Sequence, residues 1–120
     1  MTLDEALGNL IEKYGDEFTW DFVPYTQTGN KGSLMPELRA ELSETHPLYY
    51  RKIHLAVARC YANDDVLFLG EDEKYFIIHL TYSKTNLPGF PVWVEFSDLN
   101  SAITYIEEQY SFSNQSRVRR

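Results

Sequence analysis

Apolar residues along this chain recur with two different spacings. Between Asp64 and Tyr110 the spacing changes from about two, the signature of a strand, to about 3.6, the signature of a helix. Val66–Leu69 reads as a strand, Gly70-Glu71-Asp72-Glu73 as a turn, and Lys74–Ser83 as a long strand rich in β-branched and aromatic residues. A proline-bearing loop, Asn86–Pro91, leads to a strand at Val92–Phe96. Ser97 then stands as an N-cap, with Asp98 in the first turn of a helix whose inward stripe is Leu99, Ala102, Ile103, Ile106 and Tyr110.

The N-terminal half is patterned less sharply. Thr2 and Glu5 have capping-box spacing, and Leu3, Leu7, Leu10, Ile11 and Tyr14 share one helical face that Gly15 closes. Phe18, Trp20 and Phe22 alternate as in a strand or an extended aromatic segment, and Thr26–Ser33 reads as a mobile polar loop. Pro36 suits the first turn of a helix over Glu37–Ser43, ended at His46-Pro47. Residues 52–61 alternate like a strand, although their alanines would tolerate a helix; the turn Ala62-Asn63-Asp64 favours the strand.

Consecutive strands with short connections predict a meander. The expected fold is therefore α+β, an antiparallel sheet of about four strands with the N- and C-terminal helices packed on one face. Residues 1–110 form one domain in this reading, and 111–120 a disordered basic tail.

Composition adds that 43% of residues are hydrophobic and 15% aromatic, which a folded core requires and a disordered chain lacks. The net charge of −7 is uneven: the last ten residues carry three arginines and no acid, so the preceding 110 carry −10. Such a surface repels phosphate backbones and anionic lipid, which argues against nucleic acid or a membrane as partner and is compatible with a basic protein. Cys60 is the single cysteine, so no intrachain disulfide forms. The apolar runs fall far short of the ~20 residues of a spanning helix, and the acidic N-terminus lacks the basic start of a signal peptide. A reducing cytoplasm is the expected location.

Chemistry is less evident. On the strand at 75–83, one face carries Phe76, Ile78, Leu80 and Tyr82 and the other Tyr75, Ile77, His79, Thr81 and Ser83. With the helices on the first face, the second is a semi-polar surface that His54, Trp93 and Glu95 could join. His79 with Glu95 or Asp65 is then a candidate acid–base pair. No metal-ligand spacing is present, no nucleotide or nucleophile-elbow motif occurs, and no cofactor is implied. The paired acids Asp64 and Asp65 read first as turn residues, and Cys60 as a small buried hydrophobe. Several aromatics exceed what a small core needs, Phe90 and Trp93 among them, and aromatic residues make good interface anchors.

The run Asn63-Asp64-Asp65-Val66-Leu67-Phe68, followed by His79-Leu80-Thr81-Tyr82-Ser83, resembles a family of small bacterial proteins with an N-D-D-V-L-F element ahead of H-L-T-[WY]-S. His46-Pro47-Leu48-Tyr49 looks like a further shared element, so the similarity spans about residues 36–110. The resemblance implies a bacterial, cytoplasmic, single-domain protein and brings no activity, cofactor or catalytic residue with it. It draws attention to Asp64, Asp65, His79 and Thr81 as a shared surface. The function expected is that of a non-enzymatic interaction module, immunity- or antitoxin-like, with a basic protein partner. A small hydrolase built on His79 is the alternative, and a homodimer through an open sheet edge a third reading.

Overall fold

A computed structural model describes residues 2–23, 34–83 and 87–118. The first helix, α1 (Leu3–Tyr14), begins with the capping box foreseen at Thr2 and Glu5: each satisfies a backbone amide of the other. Gly15 closes it with φ +68, a conformation that costs a residue with a Cβ. A short 3₁₀ turn over Gly15–Glu17 leads to β1 (Trp20–Phe22). The loop expected at Thr26–Ser33 lies outside the described residues. There follow α2 (Leu34–Glu41), β2 (Ile53–Cys60), β3 (Asp65–Gly70), β4 (Tyr75–His79), β5 (Trp93–Phe96) and α3 (Leu99–Val118).

The five strands lie in chain order, every neighbouring pair antiparallel. The meander is thus as expected but has one strand more, because Trp20–Phe22 pairs with Ala58–Cys60. Residues 53–60 settle as strand; Ala56 and Ala58 are fully buried, and there small side chains let the two layers approach. Two boundaries move. Helix α2 starts at Leu34, so Pro36 falls within its first turn. Asp98 rather than Ser97 caps α3, its Oδ1 accepting from the Ser101 amide at 2.8 Å, and that bond holds its carboxyl below the usual range.

Helices α1 and α3 cover the same face of the sheet, as the pattern predicts, but not the face first expected. They bury Trp20, Ala58, Cys60, Leu67, Ile77 and Phe96, together with Leu7, Leu10, Ala102, Ile106 and Tyr110 from the helices themselves. The opposite face is not a semi-polar surface either. Phe68, Phe76, Ile78 and Leu80 there pack against Leu34, Met35 and Leu38 of α2 and against Leu48. Both faces are dry, and the unbroken run Tyr75-Phe76-Ile77-Ile78 is the mark of a strand buried on two sides. Burying one such Ile or Leu side chain is worth about 1.5–3 kcal/mol.

A clasp joins the two terminal helices. Glu107 accepts from Lys13 Nζ at 2.7 Å and from the Tyr14 hydroxyl at 2.6 Å, which lowers the Glu107 pKa. Below it, Phe18 stacks on Tyr14 and meets Tyr110 edge-on. The helical backbone of α3 continues past Tyr110, beyond the residue at which the sequence reading ends the folded domain.

Candidate functional site

Register decides which of the candidate residues meet. Asp65 of β3 stands directly opposite His79 of β4, and Asp65 Oδ1 lies 2.8 Å from His79 Nδ1. The imidazole is 43% exposed and the carboxylate 27%, so the pair is open to solvent at the edge of the α1/α3 face. Asn63 fixes the approach: its Oδ1 accepts from the Asp65 amide at 2.8 Å, the Asx-turn role expected of Asn-Asp-Asp. Asp64 is exposed, and its carbonyl accepts from the Leu80 amide.

Glu95 does not join His79. It pairs with Phe76 across the β4–β5 ladder, and Trp93 pairs with Ile78, which places both on the α2 side of the sheet. There Arg51 donates two hydrogen bonds to Glu95 at 3.1 and 3.0 Å while Lys74 approaches at 3.3 Å. These bonds, the Arg51 ones above all, hold the Glu95 carboxyl below its ordinary range. Two cations therefore occupy a carboxylate that the sequence offers as a base. His54 is exposed at the start of β2 beside Arg51 and Lys52, again away from His79. The trio His54, His79 and Glu95 does not converge.

Cys60 is buried, and its thiol donates to Thr19 Oγ1 at 3.4 Å. One step on from the Arg59–Val66 pair, Cys60 stands level with Asp65, and both line a cavity of about 300 Å³ beneath α3. Across β2, β3 and β4 the order is thus thiol, carboxylate, imidazole. A thiol–imidazole relay needs the imidazole in the middle. Among the described residues, no group of three or more His, Cys, Asp or Glu side chains gathers with metal-binding geometry.

Thr81 leaves the ladder altogether, because its amide and hydroxyl both donate to Glu41 of α2 at 2.8 and 2.9 Å. Glu41, which the sequence reading passes over, and His46, read there only as a helix end and part of a shared element, are the buried polar residues among those described. Burial pushes Glu41 toward its neutral form, but hydrogen bonds from Glu37 and from the Thr81 and Tyr82 amides outweigh this and lower its pKa. Glu37 gives up a proton only at about pH 7, since it donates that proton to Glu41 in a partly dry site. Glu and Glu at i and i+4 on one helix is the sequence signal that could have found the pair. His46 Nδ1 accepts from the Leu48 amide at 3.0 Å, which leaves the proton on Nε2 to bond the Pro91 carbonyl at 2.8 Å. This imidazole ties the turn after α2 to the loop entering β5, with Trp93 against its ring.

That loop and β5 form an exposed apolar strip. Leu87, Phe90, Val92 and Val94 all reach solvent, and β5 is the last strand of the sheet, paired on one side alone. No family model, curated protein or solved structure matches the chain. Among the described residues no helix is long and apolar enough to cross a membrane.

Proposed function

We propose that this chain is a non-enzymatic interaction module that takes an extended segment of a basic protein on the open edge of β5, in the manner of an immunity protein or antitoxin. The observation that carries the reading is the apolar strip of Leu87, Phe90, Val92 and Val94 along the open outer edge of β5. Sheet edges left open are normally blunted by a lysine, a bulge or an inward charge; Val92 to Phe96 carry no lysine and pair with β4 without a bulge, and their one charge, Glu95, is met by Arg51 and Lys74 on the α2 side. An incoming strand would gain main-chain hydrogen bonds from the edge and side-chain contacts from Val92 and Val94. The charge of −10 over residues 1–110 favours a basic partner and speeds its approach.

The test is capture of a stoichiometric partner from native extract at low salt, repeated with Val94→Lys. The reading requires a partner that salt weakens and that Val94→Lys releases. It fails if no partner is held or if the variant holds it equally well. A dimer in light scattering that Val94→Lys dissolves would put a second copy on the edge instead.

The exposed His79–Asp65 pair supports a second reading, acid–base chemistry at the rim of the α1/α3 face. The carboxylate holds the Nδ1 side of the ring, which leaves Nε2 to face a substrate. His79→Ala should then abolish an activity while the melting temperature stays within a few degrees.

A further inference from the structure

The cavity of about 300 Å³ beneath α3 lies at one end of the sheet, where β1 begins, β2 ends and β3 starts. Its volume is at the lower end of the roughly 300–1,000 Å³ of small-molecule sites. The walls are aromatic and held in place. Trp20 and Tyr110 are buried, and the Tyr110 ring is fixed by Tyr14 at 4.7 Å and Phe18 at 5.2 Å between centroids. Tyr105, partly buried on the same helix, packs on Phe96 at 5.3 Å. Ala62, Asn63 and Gln109 are exposed and form the mouth. Among the described residues that line the cavity Asp65 alone is charged, and no lysine, arginine or histidine joins it. Its Oδ1 accepts from His79 Nδ1 at 2.8 Å and its amide is held by Asn63, while Oδ2 takes no hydrogen bond from the described residues.

We propose that this cavity binds a small organic amine, an ammonium group carried on an apolar body. The Asp65 carboxylate takes the ammonium, whose N–H groups supply the oxygen that His79 leaves open with a donor. Trp20, Tyr105 and Tyr110 take the body, and aromatic walls suit a cation because a ring face attracts positive charge. Other ligands match less of the site. An anion meets the charge of Asp65, with Asp64 exposed beside it. A neutral hydrocarbon covers a carboxylate oxygen without giving it a donor. A divalent metal ion finds one carboxylate where about six oxygens are wanted. The surroundings of the mouth work in the same direction. A neighbouring hollow that shares Thr19, Trp20 and Ala62 with the cavity carries the exposed acids Asp16, Glu17 and Asp21, with no basic residue in its lining. Charge of one sign beside a cleft raises the local concentration of the opposite ion. The site is separate from the edge of β5 and asks no catalysis of His79, so it rests on neither reading of the function.

The test is calorimetric titration of the full chain with phenethylamine, with phenethyl alcohol as the neutral body and methylammonium as the cation without a body. Saturable binding of one phenethylamine is expected, about tenfold or more tighter than either control. Asp65→Asn keeps the shape of the side chain and removes its charge, and should weaken the amine about tenfold or more. Ala62→Lys places a cation at an exposed position of the mouth. It should weaken the amine roughly threefold or more while the melting temperature stays within a few degrees, which keeps a readout even where Asp65→Asn loosens the hairpin. Val94→Lys, which tests the edge of β5, should leave amine binding unchanged, so the two proposals fail separately. Absence of saturable phenethylamine binding overturns this one. So does phenethyl alcohol binding as tightly, which makes the carboxylate irrelevant, and so does methylammonium binding as tightly, which makes the walls irrelevant. Full amine affinity in Asp65→Asn or in Ala62→Lys overturns it equally.

Discussion

Glu41 Oε1 accepts hydrogen bonds from both the amide and the hydroxyl of Thr81, 40 residues further along the chain, while its other oxygen takes the Tyr82 amide at 2.9 Å. One carboxylate from α2 thereby replaces the ladder partner that this part of the chain gives up. The strand expected to run to Ser83 stops at His79 for that reason. Tyr82, at φ +54, turns the chain away.

Removing this carboxylate leaves those donors without their acceptor beneath a buried helix end. Glu41→Ala should cost about 2–4 kcal/mol, and Glu41→Gln, which keeps one acceptor oxygen, roughly half as much. Urea denaturation of the three proteins measures this. Equal stability of Glu41→Ala and the parent would show that the bonds are not what holds the turn.

The acid pair also sets a pH dependence. Glu37 has its pKa raised from 4.5 to about 7, so the stability it contributes is complete below about pH 4.5 and is lost as pH rises through about 7. Glu41 is shifted downward, so its contribution is present above 4.5 and is lost as pH falls below that. Stability should therefore decline between about pH 5 and 8. Glu37→Gln, which keeps a donor and cannot ionise, should flatten that decline. Melting temperatures of parent and variant across this interval decide it, and parallel curves would place the titration elsewhere.

Gly70 ends β3 in an ordinary extended conformation, so space and not its dihedral angle demands glycine there. A Cβ would stand 2.6 Å from Phe76 Cε2 and 3.0 Å from the Lys52 carbonyl oxygen. The Phe76 ring cannot yield easily, being buried under the Arg51 guanidinium. Gly70→Ala should cost about 1–3 kcal/mol, whereas Gly8→Ala on α1, with open space around it, should stabilise by about 0.5–1 kcal/mol. Thermal melts of both variants give the comparison, and a harmless Gly70→Ala would mean the ring moves.

The elements were legible wherever one side chain's neighbours lie close along the chain. The capping box at Thr2 and Glu5, the α3 stripe from Leu99 to Tyr110 and the Asn63 turn each depend on residues a few positions apart. The candidate site was legible in part. Asp65 and His79 share a short hairpin, and the structure does bring them together.

What the sequence could not show was which face meets which helix, because alternation defines two faces and assigns neither. A one-residue slip exchanges every side chain between them. The β4–β5 register put Glu95 and Trp93 opposite His79's side of the sheet, and only then did Arg51 and Lys74 find Glu95. The links from Glu41 to Thr81 and from His46 to Pro91 cross some forty residues, and no local pattern encodes them. By itself, then, the sequence determined the helices, the meander and the acidity of the chain, since periodicity and charge are local sums. Tertiary structure alone decided the partners of each polar side chain and the cavity shared by Trp20, Asp65 and Tyr110, since those depend on where distant segments come to rest.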